Sequence, residues 1–413
     1  MSSNHNYKTT VQNITHLLEK RAEVYPIRNE IYNELVKAIN RFVADMLGSI
    51  NFDEFRPDAN EINTVHSFIN QPVFVCGSMK SGTTLITQLL DGHPNLFVMP
   101  GDSHYIRHLN RWTHEQFDDI AQHWIQRLIN PSGKAPFWFL GQENEHFEKF
   151  LQHLNFFLSQ TTHDVFVCVV RALYLANPNR SKHVKHWVEK TPHNELHTTI
   201  LTGKYPHAKF IHVIRNPLPN IASLKKVAML LDRKNFSVVG QAKLLKTLMQ
   251  TATANQRQLG SNRYLVLRYE DLVSQPKETL LSMCQFLEIP FDDTLMTPTE
   301  NGKLGIANSM YTESRVKGQI LNQSQNKRYE KELTQSELND IAKVLYLTAM
   351  DFGYDWRSEK IITPTHFLIF SSLFDEFLLL WYTFSPGLSN FSYSVFCIFR
   401  MLFVTFFCCN LQK

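Results

Sequence analysis

Scarcity narrows the chemistry of this 413-residue sequence before any motif does. It has six cysteines, Cys76, Cys168, Cys284, Cys397, Cys408 and Cys409, and they fall into neither metal-ligand spacing nor a disulfide framework. A chain this long can bury a substantial core without such staples. A reducing compartment is compatible with this usage but not demanded by it. Charge of one sign is also scarce: 42 basic residues against 38 acidic leave a net +4, with no Lys/Arg block to nominate a nucleic-acid partner. The opening "MSSNHNYKTTVQN" has no basic segment leading into an apolar one, so no N-terminal secretory signal is expected. No internal repeat and no convincing metal cluster stand out.

What is present alternates between two periods. Residues 15–47 read as one or two amphipathic helices, with Ile31, Leu35, Ile39, Phe42 and Met46 on one stripe and a break or kink at Pro26. Residues 115–178 read as mainly helical; "DVFVCVVRALYL" (164–175) fits strand or helix, its length favouring helix. Short apolar runs at 73–76, 186–188 ("HWV"), 209–214 ("KFIHVI") and in "RYLVLRYEDL" (263–272) read as buried strands. Helical patterns follow the last two, over 217–232 and over 275–288 with Pro276 near its start. "TQSE" (334–337) is a capping-box signature opening a helix to about residue 351. Strands alternating with helices predict an α/β fold with a mostly parallel sheet covered on both faces.

Three of these runs end in loops that carry cations. In "VFVCGSMKSGTTLITQLL" a strand hands over to a helix through Gly77-Ser-Met-Lys-Ser-Gly-Thr-Thr84. Gly77 and Gly82 permit a sharp turn, which aims backbone N–H groups at one point by the positive end of the helix dipole. That is an anion site. Lys80 precedes Gly82 by two positions, whereas the nucleoside-triphosphate loop G-x-x-x-x-G-K-[ST] has its lysine after the second glycine, so the ATP version does not fit. After "KFIHVI" come Arg215-Asn-Pro217 and, eight residues beyond the arginine, Ser223; a cation and a hydroxyl there can converge on a second phosphate. After "HWV" comes Glu189-Lys-Thr-Pro-His-Asn194, where Pro192 ends the strand and presents Lys190 and His193. Any one of these loops is compatible with solvated side chains and salt-bridged helix ends. Three at three strand ends are a stronger signal.

Together they resemble the sulfotransferase family, whose members take a sulfuryl group from 3′-phosphoadenosine 5′-phosphosulfate (PAPS). The resemblance covers roughly residues 70–355, and "EKTPHN" and "YLVLRYEDL" are similar to the branch holding tyrosylprotein, carbohydrate and many bacterial enzymes. It implies a central parallel sheet of P-loop type flanked by helices, with PAPS as co-substrate and no metal. It also implies that Gly77, Ser78, Ser81, Gly82, Thr83 and Thr84 hold the 5′-phosphosulfate, through backbone N–H groups from Ser81 to Thr84. Lys80 then neutralises the bridging oxygen, Lys190 sits by the transferring group, and Arg215 with Ser223 takes the 3′-phosphate. Ser314, Arg315 and Lys317, or Arg328, are loose candidates for further nucleotide contacts. The family's base is less well matched. Asp102 in "HPNLFVMPGDSHY" follows the histidine-proline at a longer spacing than the tyrosylprotein glutamate, and His193 stands one residue beyond the cytosolic histidine. The order of preference is Asp102, His193, then His104.

The expected organisation is an N-terminal helical arm (1–69), a PAPS-binding sulfotransferase domain (70–358) and a hydrophobic helical tail (359–413). The tail is unlike an ordinary globular terminus: residues 391–409 carry one charge, Arg400, and the segment 367–384, with Asp375 and Glu376 at its centre, suits a membrane interface. Membrane association through residues 366–409 is expected, with a cytoplasmic protein as the alternative. The expected partner is a small-molecule, glycan or peptide hydroxyl acceptor. The rival readings are a P-loop kinase with Asp271 as magnesium ligand, and a non-catalytic nucleotide-binding membrane protein.

Overall fold

The computed structural model describes Ile14 and residues 29–108, 116–129, 143–160, 164–306, 316–322 and 327–356. The chain begins with α1 (Asn29–Ser49), on which Ile39, Phe42 and Met46 are buried as the stripe predicts. Residues 15–28 and the side chains of Ile31 and Leu35 lie outside the described set. Asp58 and Glu61 form a capping box that opens α2 (Ala59–Phe68). Strand β1 (Pro72–Gly77) leads into α3 (Thr83–Leu90), and β2 (Leu96–Asp102) follows. After the short helix Tyr105–His108 come α4 (Phe117–Ile129), α5 (Glu143–Ser159) and α6 (Val165–Ala176). The ambiguous "DVFVCVVRALYL" is therefore helical, and Asp164 caps it by accepting from the Phe166 N–H at 2.8 Å.

Then come β3 (His186–Lys190), α7 (Thr198–Lys204), β4 (Lys209–Ile214), α8 (Pro217–Leu230), α9 (Val238–Leu259), β5 (Tyr264–Arg268) and α10 (Pro276–Leu287). A two-stranded hairpin, β6 (Thr299–Glu300) with β7 (Lys303–Leu304), precedes α11 (Gln335–Asp351). Pro217 and Pro276 each open a helix, where a missing N–H costs nothing. Thr334 and Glu337 complete the expected capping box of α11.

The strands pair in the order β2-β3-β1-β4-β5, all parallel. β1 is buried along its whole length, which explains its unbroken apolar run. Its two faces feed separate cores. On one, Phe74 stacks with Phe210 at 5.5 Å, and Phe210 with Tyr264 at 5.7 Å, beside Trp187 and the α4–α6 helices. On the other, Val73, Val75, Val188, Ile211 and Val213 meet α3 and α10. Ile39, Phe42 and Met46 belong to the first core, where Phe42 meets Phe147 edge-on at 5.6 Å.

The connection from β1 runs towards β2 and the one from β4 runs towards β5, so these neighbours diverge at their carboxyl ends. A crevice for ligands forms at such a switch point. Beyond α11, Tyr354 closes over this edge: its hydroxyl donates to Glu270 Oε2 at 2.7 Å and lies 3.4 Å from the Ile214 carbonyl. The hydrophobic segment 366–409, Ser314 and Arg315 all lie outside the described residues. Among the described residues, no helix is long and apolar enough to cross a membrane.

Candidate active site

β1 ends at Gly77, where φ is +137° and an added Cβ would fall inside the Val213 carbonyl oxygen. Only glycine fits. The turn continues through Lys80, itself at φ +65°, to Gly82 at φ +112°, whose Cβ would strike the Tyr269 ring. Gly82 is the N-cap of α3 and has no side chain to cap it, so the first-turn amides from Thr83 onward have no intrahelical carbonyl. The Ser81 N–H is spent within the turn, donating to the Ser78 carbonyl at 3.1 Å. Its hydroxyl, by contrast, is buried without a partner. Of the amides from Ser81 to Thr84 expected to face an anion, that of Ser81 is thus taken up by the turn itself.

Arg215 follows β4 directly. Its Nη1 donates to the Lys80 carbonyl at 2.8 Å and its guanidinium lies 4.6 Å from the Tyr269 ring centroid, while Nε is buried and unpartnered. The two loops expected to take two anionic groups are therefore in direct contact. Ser223, in the second turn of α8, spends its hydroxyl on the Pro219 carbonyl at 2.8 Å. It is half-buried and its hydrogen bond stays within its own helix.

From the other side, β3 delivers Lys190. β2 pairs with β3 through a bulge between Val98 and Asp102, which brings Asp102 opposite Lys190. Lys190 Nζ forms an ion pair with Asp102 and lies 3.5 Å from Thr84 Oγ1. Two of the candidate catalytic groups are thus joined to the loop helix. His193 adopts φ +73°, and its N–H donates to the Gly77 carbonyl at 3.2 Å, tying the β3 loop to the end of β1. His104, at φ +51°, donates its N–H to Thr191 Oγ1 at 3.0 Å.

Several residues that hold this edge together were not singled out from the sequence. Asn220, fully buried on α8, donates to the Met79 carbonyl at 3.2 Å and lies 3.5 Å from the Ser78 hydroxyl. Its one visible signal is its place in the first turn after Arg215-Asn-Pro. Glu195, 1% exposed, accepts the Gly77 N–H at 2.9 Å, and burial pushes its carboxyl up to about 7. Glu189 is buried beneath the β2 and β3 loops, accepting from Ser103 Oγ, Thr191 Oγ1 (2.6 Å) and Asn194 Nδ2 (2.7 Å), and burial raises its pKa too. Glu270 accepts the Asn216 N–H at 3.0 Å, steadying the segment that carries Arg215. Asp271 instead pairs at 3.5 Å with Arg268 on the surface, its side chain 51% exposed. Lys317 bridges to Ile306, and Arg328 precedes the short helix Tyr329–Glu332.

The result is an edge with cations from β1, β3 and β4, one carboxylate paired to a lysine, and orphaned donors at Ser81 and Arg215. It can hold an oxyanion-rich ligand and accept a proton beside it. Among the described residues, no group of three or more His, Cys, Asp or Glu is placed to hold a metal ion.

The chain is similar to several known proteins. A model described as the sulfotransferase family matches residues 72–293. A Caenorhabditis briggsae protein provisionally named a protein-tyrosine sulfotransferase is 23% identical over 318 residues, 71% of this chain and 92% of that one. An uncharacterised protein of Aquifex aeolicus is 22% identical over 229 residues, 55% of this chain; the match spans about a quarter (26%) of that longer protein. Among solved structures, the sulfotransferase domain of the Synechococcus PCC 7002 olefin synthase superposes with a TM-score of 0.47 at 22% identity. That match covers 70% of this chain and 97% of that one.

Proposed function

The chain belongs to the sulfotransferase family, and from that premise we propose that it transfers a sulfuryl group from PAPS to a hydroxyl acceptor. The observation that carries this reading is the contact of Arg215 with the Lys80 carbonyl, which joins two anion-binding loops edge to edge. A donor with phosphate groups at both its 3′ and 5′ positions needs two such sites. The orphaned Ser81 hydroxyl, the uncapped start of α3 and the free Arg215 Nε fit that need.

PAPS supplies an activated sulfuryl group; the rest of the work falls to the chain. Sulfuryl transfer resembles phosphoryl transfer, where positioning and charge stabilisation carry most of the catalysis. In this reading the Thr83–Thr84 amides and the Ser81 hydroxyl hold the 5′-phosphate, with Gly77, Ser78 and Gly82 shaping the turn. Lys80 neutralises the bridging oxygen as its bond to sulfur breaks. Arg215, with Ser223 at the same edge, takes the 3′-phosphate. The acceptor oxygen forms the new bond to sulfur, and its proton passes to Asp102. Lys190, between Asp102 and Thr84, orients that carboxylate and sits beside the transferring group. His193 is the alternative base. The acceptor is a hydroxyl on a carbohydrate, a small metabolite or a tyrosine; the name of the Caenorhabditis relative lends weight to tyrosine. The proposed division of the chain keeps an arm over 1–69, the transferase domain over 70–358 and a membrane-associated tail over 359–413.

Calorimetry tests the donor. Adenosine 3′,5′-bisphosphate should bind without magnesium and far more tightly than ATP. Magnesium-dependent ATP binding that ignores the 3′-phosphate would point to a kinase instead. Transfer from labelled PAPS to a panel of glycan, metabolite and tyrosine-peptide acceptors then names the acceptor class.

A further inference from the structure

A second concavity, of about 470 Å³, opens between α2, α6 and the end of α7. Asn70 stands just before β1, and Lys204 and Tyr205 stand before β4. This wall is therefore at the amino ends of the strands, whereas Lys80, Lys190 and Arg215 leave the carboxyl ends. Its size is within the range that small organic ligands occupy.

The cavity is unusual in a charge that no described residue compensates. Arg171 lines it and is only 4% exposed, yet its Nε has no hydrogen-bond partner. Among the described residues, the Phe157 ring lies 5.3 Å from its guanidinium carbon. Burial lowers its pKa, with no acidic partner among the described residues, and its charge adds to burial in holding His66, at the cavity mouth, below the usual histidine value. The acidic group in the wall is Asp164, but its oxygens are already occupied. Oδ1 accepts the Phe166 N–H at 2.8 Å; Oδ2 accepts the Tyr105 hydroxyl at 3.1 Å and Lys204 Nζ at 2.5 Å. A buried charge left in this state is costly, and a ligand anion is what would offset it. Arginine's planar fork matches an oxyanion bidentately, and Tyr205 with the aliphatic wall offers a surface for an apolar body.

We propose that this cavity binds a small organic anion, bearing a carboxylate or a phosphate monoester, on Arg171. The site is separate from the one that would bind the sulfuryl donor, and it does not depend on that reading. The test is thermal melting of the full chain with benzoate or phenyl phosphate at matched ionic strength. One or both probes should raise the Tm saturably, and the response identifies which oxyanion the site prefers. Arg171→Met should abolish the shift while melting, without ligand, at or above the wild type, because it removes an uncompensated charge. Arg215→Ala should retain the shift, which separates this site from the strand-end loops. Arg171→Lys keeps the charge without the fork and should bind the preferred probe about tenfold more weakly or worse. The proposal is overturned if neither probe shifts the melt, if the shift survives Arg171→Met, or if Arg171→Lys binds as tightly as arginine. Should Arg171→Met fail to fold, the lysine variant decides alone.

Discussion

Glu195 makes the sharpest physical prediction. Its carboxyl is sealed under the end of β1, where it accepts the Gly77 N–H at 2.9 Å. His212 has Nε2 3.8 Å from Glu195 Oε1, but burial pushes that imidazole down to about 3, so it is neutral throughout the working range. Burial raises Glu195 from 4.5 to about 7. An acid with a raised native pKa stabilises the fold most when protonated. Its contribution is complete below about 4.5 and is lost as pH rises through 7. The shift corresponds to roughly 3 kcal/mol. Glu195→Gln mimics the protonated form and keeps a carbonyl for Gly77. Urea unfolding of wild type and variant at matched pH cancels the other titrating groups. The two proteins should be nearly equal at pH 4.5, with the glutamine variant ahead by about 3 kcal/mol at pH 8.5. A difference that does not change with pH, or a wild type that becomes the more stable protein above pH 7, refutes this account of the buried carboxylate.

At the proposed catalytic edge, Lys80→Ala should lower kcat by about 100-fold or more, since it removes charge stabilisation of the transition state. Arg215→Ala should chiefly weaken binding of adenosine 3′,5′-bisphosphate, by roughly 1.5–3 kcal/mol in calorimetry. If melts show that both variants merely unfold, the residues are structural. Asp102→Asn should abolish transfer while leaving bisphosphate affinity nearly unchanged. The same pattern in His193→Ala alone would move the base to histidine. Gly82→Ala should lose nucleotide binding and melt lower, because its φ of +112° and the Tyr269 ring both exclude a Cβ; unchanged affinity would mean the turn is not the anion site.

The strands most legible in the sequence were those with long apolar runs in the middle of the sheet. β1 is buried along its length and β4 is buried from Phe210 onward, and neither bears alternation, so both stand out as β-prone segments, with Lys209 at the start of β4 the one charge. β2 was not read as a strand. Leu96 to Met99 is short and runs into Pro100-Gly101, which sequence reasoning takes for a turn, and its place in the sheet comes from pairing with β3. The loop and its cations were visible because glycine and lysine at fixed spacing have few other uses. The supports were not. Asn220 and Glu195 act on loop residues 141 and 118 positions away, and nothing local to either residue marks such a partner. The pairing of Asp102 with Lys190 also depends on a bulge, a feature of register that no single-strand pattern carries.

The strand order also sets a timetable for biosynthesis. β1 lies between β3 and β4, so its second edge is paired only when Ile214 has been made. That is roughly 140 residues after Gly77, or about 7–28 s at ~5–20 residues per second on the ribosome. Until β3 is made, "VFVC" has two open hydrogen-bonding edges, and until β4 docks it still has one, the kind of apolar segment that seeds misassembly. The turn around Lys80 has no floor in that period either, because Val213, Arg215 and Asn220 all come later. A ligand of the strand-end loops can therefore rescue finished chains but not growing ones. Variants that slow the docking of β4 should lose yield during synthesis that no added nucleotide restores.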